Sequence, residues 1–270
     1  MKHETFWQAD TVEQRRLGMA ECGWCGVSEG WMLRHLGDVH WRLIAEAMGQ
    51  QAAVFTDADG APVYAAFCAI SERLLRPALA RPGALLTIGS RLRRLTATRL
   101  ISLHDLAIDG HAFAEIILVT AFVRHGAAGG NAHIIRVQPC GRLDLPPLEA
   151  GADRGFVAEA GLLYHDLPAS SAAVALSTDV TPCPTTDFNA AGLLYCANYP
   201  GLADRAEWAL YPDLARSPLT SRKIVYLGNV DPGDPVTATL YRARQPDRGH
   251  CLILASGPRI IARIVTEKRD

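Results

Sequence analysis

The sequence predicts an α+β protein in which two antiparallel sheets are each wrapped around one long helix. Three observations carry this. A helical stripe of apolar residues lies early in the chain. A second apolar run opens from a polar turn at Asp187, and each run is followed by several β-like runs separated by turn residues. At 270 residues the chain has room for two units of about 130 each. They are read as an N-terminal unit, 1–150, and a linker with a C-terminal unit, 151–270. No literal repeat relates them, so the duplication is one of architecture.

Residues 1–16 are polar and read as an arm or a short helix, and the stretch after them is rich in glycine. Ser28 then suits a helix cap, and Glu29 suits the positive N-terminal end behind it. Met32, Leu36, Val39, Leu43 and Ala47 follow at helical spacing up to Gly49. Strands are expected at 54–56 and 62–67 around Asp59-Gly60, then at 84–93, 96–108 and 111–124, the last two joined by Asp109-Gly110. The run Phe113 to Phe122 is nearly all apolar and belongs in mid-sheet, against the helix. Pro139 to Pro168 is rich in Pro, Gly and Asp and reads as the linker. The second unit offers strands at 172–180, 223–230, 236–244, 251–256 and 259–266.

The second helix is announced by Asp187-Phe188-Asn189-Ala190-Ala191-Gly192-Leu193-Leu194-Tyr195-Cys196-Ala197-Asn198-Tyr199. Asp187 and Asn189 have short side chains that cap amide groups, and Gly192 allows a close turn. Leu193, Leu194, Ala197, Leu202 and Ala206 supply an apolar face. Pro200-Gly201 interrupts it, so the helix either kinks there or breaks, with Pro200 opening a second segment. This run resembles the start of the central helix in the hot-dog thioesterase superfamily, in which an acidic turn leads into Gly, two hydrophobic residues and Tyr. Where those thioesterases carry a catalytic Asp, this chain has Asn189, which is no carboxylate base.

Gly26-Val27-Ser28-Glu29-Gly30-Trp31-Met32-Leu33-Arg34-His35-Leu36-Gly37-Asp38-Val39-His40-Trp41, with Val63-Tyr64-Ala65-Ala66-Phe67 and Asp187-Phe188-Asn189, is similar to the leinamycin-type acyltransferase/decarboxylases. These are double hot-dog enzymes of polyketide assembly. The resemblance implies a double hot-dog fold, decarboxylation of methylmalonyl-CoA and transfer of propionyl to an acyl carrier protein. It implies a key active-site tyrosine, for which Tyr64 is the candidate. Acyl-CoA is then substrate, and no cofactor is called for.

Such a reaction builds negative charge on the thioester oxygen. Amides around Gly26, Val27 and Ser28 at the first helix's start are placed to stabilise it. Tyr64 would carry the acyl group as nucleophile or protonate the enolate as acid; a half-buried strand residue is its bland reading. Asn189 is a helix cap first and a donor to a thioester carbonyl second. His40 either lines the pocket or is a satisfied structural histidine, the simpler reading. A hot-dog thioesterase, a dehydratase and a non-catalytic acyl-binding module are the competing functions.

The remaining signals exclude more than they assert. A net charge of −1 implies no nucleic-acid partner. Seven cysteines, an odd and scattered set, argue against a disulfide framework. Cys22-Gly23-Trp24-Cys25 is half a zinc site without its other half. The charged Met1-Lys2-His3-Glu4 and the lack of a long apolar run point to a soluble cytoplasmic protein with no membrane partner. Arg91, Arg93, Arg94 and Arg99 form a basic cluster, a solvated face or else a dock for CoA phosphates or a carrier protein. No phosphate loop and no Gly-x-Ser-x-Gly elbow appears. A monomer already pairs its two helices; a homodimer stays possible.

Overall fold

The computed structural model describes residues 9–127, 129–167, 174–242 and 249–269. The first half holds strands β1 (Thr11–Arg16), β2 (Cys22–Gly23) and β3 (Gly26–Val27), helix α1 (Glu29–Ala47), then β4 (Phe55–Thr56), β5 (Pro62–Leu74), β6 (Leu85–Arg94), β7 (Arg99–Ile108), β8 (His111–His125) and β9 (Ile134–Arg136). The second half holds α2 (Phe156–His165), β10 (Val174–Val180), α3 (Pro184–Asp187), α4 (Tyr199–Leu210), α5 (Pro212–Ala215), β11 (Leu219–Tyr226), β12 (Val236–Arg242), β13 (His250–Ser256) and β14 (Arg259–Lys268).

Instead of two large sheets there is one, with β2 and β3 paired apart from it as a short ribbon. Its order is β1-β6-β7-β8-β5-β11-β14-β13-β12-β10, with β4 beside β5 and β9 beside β8. The order reads alike from both ends toward the β5–β11 seam. That seam pairs Ala69–Arg73 with Ser221–Val225, Ile70 facing Ile224. Each strand would otherwise end its own half-sheet with a row of unpaired amides, and joining the two removes both edges. β1 also departs from the expected arm or short helix. Its side chains alternate between part-buried and exposed, and it pairs with β6 along its whole length.

Helix α1 begins where the sequence places it. Ser28 Oγ accepts the Trp31 N–H at 3.4 Å, and Met32, Leu36, Val39 and Leu43 are buried. The second helix is broken. After α3 the chain makes a tight turn at Gly192, where φ is +72°, then a 3₁₀ turn at Cys196–Asn198, and α4 starts only at Tyr199. Pro200 falls in the first turn of α4, where its missing N–H is harmless. Leu202, Ala203 and Ala206 pack on Val236, Leu252 and Ile264. The stretch read as linker also holds structure: α2 buries Phe156 and Leu163 against Ile101, Val119 and Val225 on the sheet's other face.

Two buried polar systems fix these layers. The first is at the seam. Arg222, 1% exposed, donates to Glu29 Oε2 at 2.6 Å, to Asp204 Oδ1 at 2.7 Å and to Glu207 Oε1 at 3.4 Å. Glu207 also accepts from His250 Nε2 at 2.8 Å and from Lys268. Burial opposes its charge, but the His250 hydrogen bond and the Arg222 and Lys268 charges hold its carboxyl down at about 2. Glu72 lies opposite Arg222 in register. It is fully buried with neither carboxyl oxygen hydrogen-bonded. Burial, and then the Glu29 charge, push it well above the usual carboxylate range, so it sits there as a neutral acid.

The second system lies between α1 and the sheet of the first half. Ser90 Oγ meets His104 Nδ1 at 2.7 Å and His104 Nε2 meets Ser102 Oγ at 2.8 Å. Ser102 Oγ meets His40 Nδ1 at 2.7 Å, and His40 Nε2 meets Thr120 Oγ1 at 2.8 Å. Burial holds both imidazoles neutral, each lowered to about 3.

Arg222→Ala leaves Glu29 without its cation and takes one of two cations from the buried Glu207, and is expected to cost about 3–5 kcal/mol in urea unfolding. Glu72→Gln keeps the shape and drops the held proton; it is expected to be at least as stable as the parent at pH 7. The histidines give a pH signature. A histidine lowered from 6.5 to about 3 favours the folded state above pH 6.5 and withdraws that support as pH falls, because only the unfolded chain takes the proton. Glu72 acts in the opposite sense. His40→Asn should therefore remove about 2 kcal/mol of the destabilisation that parent protein suffers between pH 7 and pH 5, read from unfolding curves at the two pH values.

Candidate active site

The site grows from a gap along one strand. On the side away from β8, β5 pairs with β4 at Pro62 and Val63 and with β11 from Ala69 onward. Residues 64–68 between them have no strand there. Phe122, opposite Ala65, turns its carbonyl to Val137 N–H at 3.1 Å, away from β5. In an antiparallel pair the main-chain groups of Ala65 then also face outward, into the gap. Trp41 Nε1 from α1 takes the Ala65 carbonyl at 2.8 Å.

The turn 189–195 fills the far side of this gap, held by three asparagines. Asn189 Oδ1 accepts the N–H groups of Ala191 at 3.0 Å and Leu193 at 3.1 Å. The Asn229 side chain bonds both main-chain groups of Leu194, at 2.9 and 3.0 Å. Asn131 Nδ2, from the β8–β9 connection, reaches the carbonyls of Gly192 and Val230 at 2.7 Å each. Asp187 is buried below, accepting the Cys183 N–H at 2.7 Å and facing Arg205 at 3.3 Å. Asn198 is tied to the Asp187 carbonyl at 3.0 Å and to Arg34 of α1.

What remains open is a cleft of about 380 Å³ between strand edge and turn. Trp41, Phe55, Phe67, Leu193 and Tyr195 make it largely apolar. Tyr195, Tyr199 and Tyr226 also line it, and burial raises the pKa of all three phenols, so they stay neutral. Tyr199 and Tyr226 donate to main-chain carbonyls, of Gly228 and Cys196, at 2.9 Å each. Cys196 is pushed up to about 12 by burial and is an inert thiol. Among the described residues the cleft wall includes no Asp, Glu or His; its charged members are Arg136 and Arg259.

Tyr64 and Asn189, far apart in sequence, line this same cleft. Because two N–H groups hold Asn189 Oδ1, its Nδ2 is turned away from the turn, and it makes no hydrogen bond to a described residue. The Tyr64 hydroxyl likewise has no described partner. Its ring stands edge-on to His125, centroids 6.2 Å apart, and His125 Nε2 donates to the Ala191 carbonyl at 3.2 Å.

The other candidates lie elsewhere. Gly26 and Val27 form a small β2–β3 ribbon against Pro77. The Ser28 hydroxyl caps α1 and its N–H bonds Glu21 O at 2.8 Å. The N-terminal end of α1, expected to face a reacting oxygen, carries Glu29 into the Arg222 cluster instead. His40 is enclosed in its hydrogen-bond chain, beneath Phe67 rather than on the wall. Of the basic cluster, Arg91 pairs with Asp105, and Arg93 with Asp10 and Glu149. Sequence reading gave Asn131, Asn229, Arg136 and Arg259 no role, and each owes its place to strand pairing between distant segments.

Among the described residues no group of three or more His, Cys, Asp or Glu could hold a metal ion, and no helix is long and apolar enough to cross a membrane. No protein-family model matches the sequence, and no curated protein is similar to it in sequence. Solved structures are similar in shape. The 12:0-ACP thioesterase from Umbellularia californica is 11% identical, with 99% of each chain covered and a TM-score of 0.65. An acyl-ACP thioesterase from Bacteroides thetaiotaomicron is 11% identical over 96% of this chain and 97% of that one, at 0.64. A MaoC-like dehydratase from Phytophthora capsici is 11% identical over 98% of each chain, at 0.50. At these identities the likeness is one of fold alone, and the chain shares its fold with these thioesterases and this dehydratase.

Proposed function

We propose that this chain acts on acyl groups carried as thioesters on CoA or on an acyl carrier protein, with the acyl chain in the cleft. The observation that carries the reading is the pairing of an apolar cleft with two unengaged polar groups, Asn189 Nδ2 and the Tyr64 hydroxyl. The architecture is read as a double hot-dog, 1–150 and 151–270, because the strand order mirrors itself about the β5–β11 seam. The names of the similar structures support thioester chemistry, hydrolysis first and dehydration second.

In this reading Asn189 donates to the thioester carbonyl oxygen and stabilises charge that gathers there. Hydrolysis also requires a base to activate water. With no Asp, Glu or His on the described wall, Tyr64 is the one group free to assist. That same lack favours a second reading, in which the substrate is a malonyl-type thioester. Loss of CO2 breaks a carbon–carbon bond and leaves its electron pair as an enolate, so no base is consumed. Asn189 would hold the enolate oxygen, and Tyr64 would protonate the α-carbon and regain its proton from water; the thiol of a carrier protein would then attack the propionyl thioester, breaking its C–S bond and releasing CoA as the free thiol, as the leinamycin-type resemblance implies.

The test is mass spectrometry of the protein incubated with an acyl-CoA panel, methylmalonyl-CoA and malonyl-CoA, with and without holo carrier protein. Free acid supports hydrolysis; CO2 loss with propionyl on the carrier supports the second reading. Asn189→Asp keeps the oxygen that holds the turn and removes the donor. It also puts a carboxylate where the thioesterases carry theirs, so transfer after CO2 loss is expected to fall about 10²–10³-fold while release of free acid rises; Tyr64→Phe is expected to abolish the protonation step. Acyl-CoA binding without turnover, equal in both variants, would leave a non-catalytic acyl-binding module and overturn the catalytic reading.

A further inference from the structure

Strand register places a second feature beside the cleft. Tyr64 lies opposite Val123, and Val123 opposite Arg136. Ala66 lies opposite Ala121, and Ala121 opposite Arg99. Directly opposed residues share a face, as do residues two apart on a strand. Tyr64, Ala66, Ala121, Val123, Arg99 and Arg136 therefore stand on one face of the sheet. Arg99 and Arg136 sit side by side, about 7 Å apart by strand geometry. In one row the residues between Arg99 and the edge of β5 are two alanines, Ala121 and Ala66. Both arginine charges act on the Cys68 thiol, which burial raises and they lower.

Many arginines of the sheet are answered by an acid, and among the described residues this pair is not. Arg73 has Glu115 at 3.3 Å, Arg91 has Asp105 at 3.4 Å, Arg93 has Asp10 at 2.9 Å and Arg124 has Asp57 at 3.3 Å. Arg222 has its three acids. Arg99 and Arg136 have no acidic partner among the described residues. Arg136 also lines the cleft, as do Tyr64, Ala66 and Val123. Two neighbouring arginines with no acid among the described residues, one of them lining an apolar cleft, suit a doubly charged tetrahedral anion.

We infer that Arg99 and Arg136 form a phosphate site, and that its ligand is the phosphate at the head of a pantetheine arm whose thioester end enters the cleft. The naming of the arm rests on the thioester reading; the anion site does not. The site would fix the arm at one end, so that the acyl group is presented to Tyr64 and Asn189 from a constant distance.

Calorimetry with 4′-phosphopantetheine and with pantetheine, which lacks the phosphate, tests this directly. Parent protein should bind the phosphorylated form at least about tenfold more tightly. In R99Q/R136Q the two affinities should converge, through loss for 4′-phosphopantetheine only, with the melting temperature held. A preference that survives the double substitution, or an equal loss for pantetheine, overturns the site. CoA and a holo carrier protein are run in parallel: a matching loss for the carrier assigns the protein-bound arm, and a loss for CoA alone assigns the free coenzyme. If parent protein binds neither pantetheine form, the thioester reading fails, and inorganic pyrophosphate decides the site. Binding by the parent that the double variant loses upholds the anion site; no binding by the parent overturns it.

Discussion

The rest of the molecule depends on the charges buried at the β5–β11 seam. Arg222 stands on β11 and answers acids from α1 and α4 at once. Taking so many charges out of water costs several kcal/mol per ion before any attraction is counted. The cluster persists because each charged partner is met at short range, and because the one acid without a hydrogen bond, Glu72, carries a proton. An arrangement of this kind tolerates little sliding. A slip of one residue at the seam would turn Arg222 to the opposite face and leave its acids unanswered. Register is thereby set for the whole sheet, and with it the length of β5 that goes without a partner.

The cleft follows from that length. Its floor is main chain, its far wall is a turn tied by asparagine side chains, and its lining is aromatic and aliphatic. Amide groups suit such a wall, since they satisfy buried backbone without bringing charge into an apolar space. The three lining phenols with raised pKa follow the same rule. A site built this way holds a thioester by shape and by hydrogen bonds to its oxygen, and leaves acid and base work to very few groups.

Legibility in the sequence tracked how local each feature is. Helix α1 could be read because its cap, Ser28, and its stripe lie within one segment, and the β7–β8 hairpin because Asp109-Gly110 marks it. Strand β1 was hidden by an alternation of polar residues whose inner members are only half-buried. Helix α2 was hidden by the Pro, Gly and Asp around it, although Phe156 and Leu163 are the anchors that seat it. The break before α4 was half visible, since Pro200 allowed either a kink or a new start, and only the turn at Gly192 decides between them. Tyr64 and Asn189 could be singled out as candidates. That they share a cleft was not legible, because a pairing between β5 and β11 leaves no mark in either strand alone. The joined sheet escaped for the same reason.

The gap in β5 has one more consequence. Its strand edge belongs to the first half of the chain and the turn that faces it to the second, so the cleft is a shared wall between two portions of one polypeptide. Neither portion encloses a ligand space by itself. Were the chain nicked in the stretch between β9 and α2, the pocket would behave as a subunit interface does. It would exist only while the fragments were associated, and a ligand gripping both sides would act as the glue that holds them together.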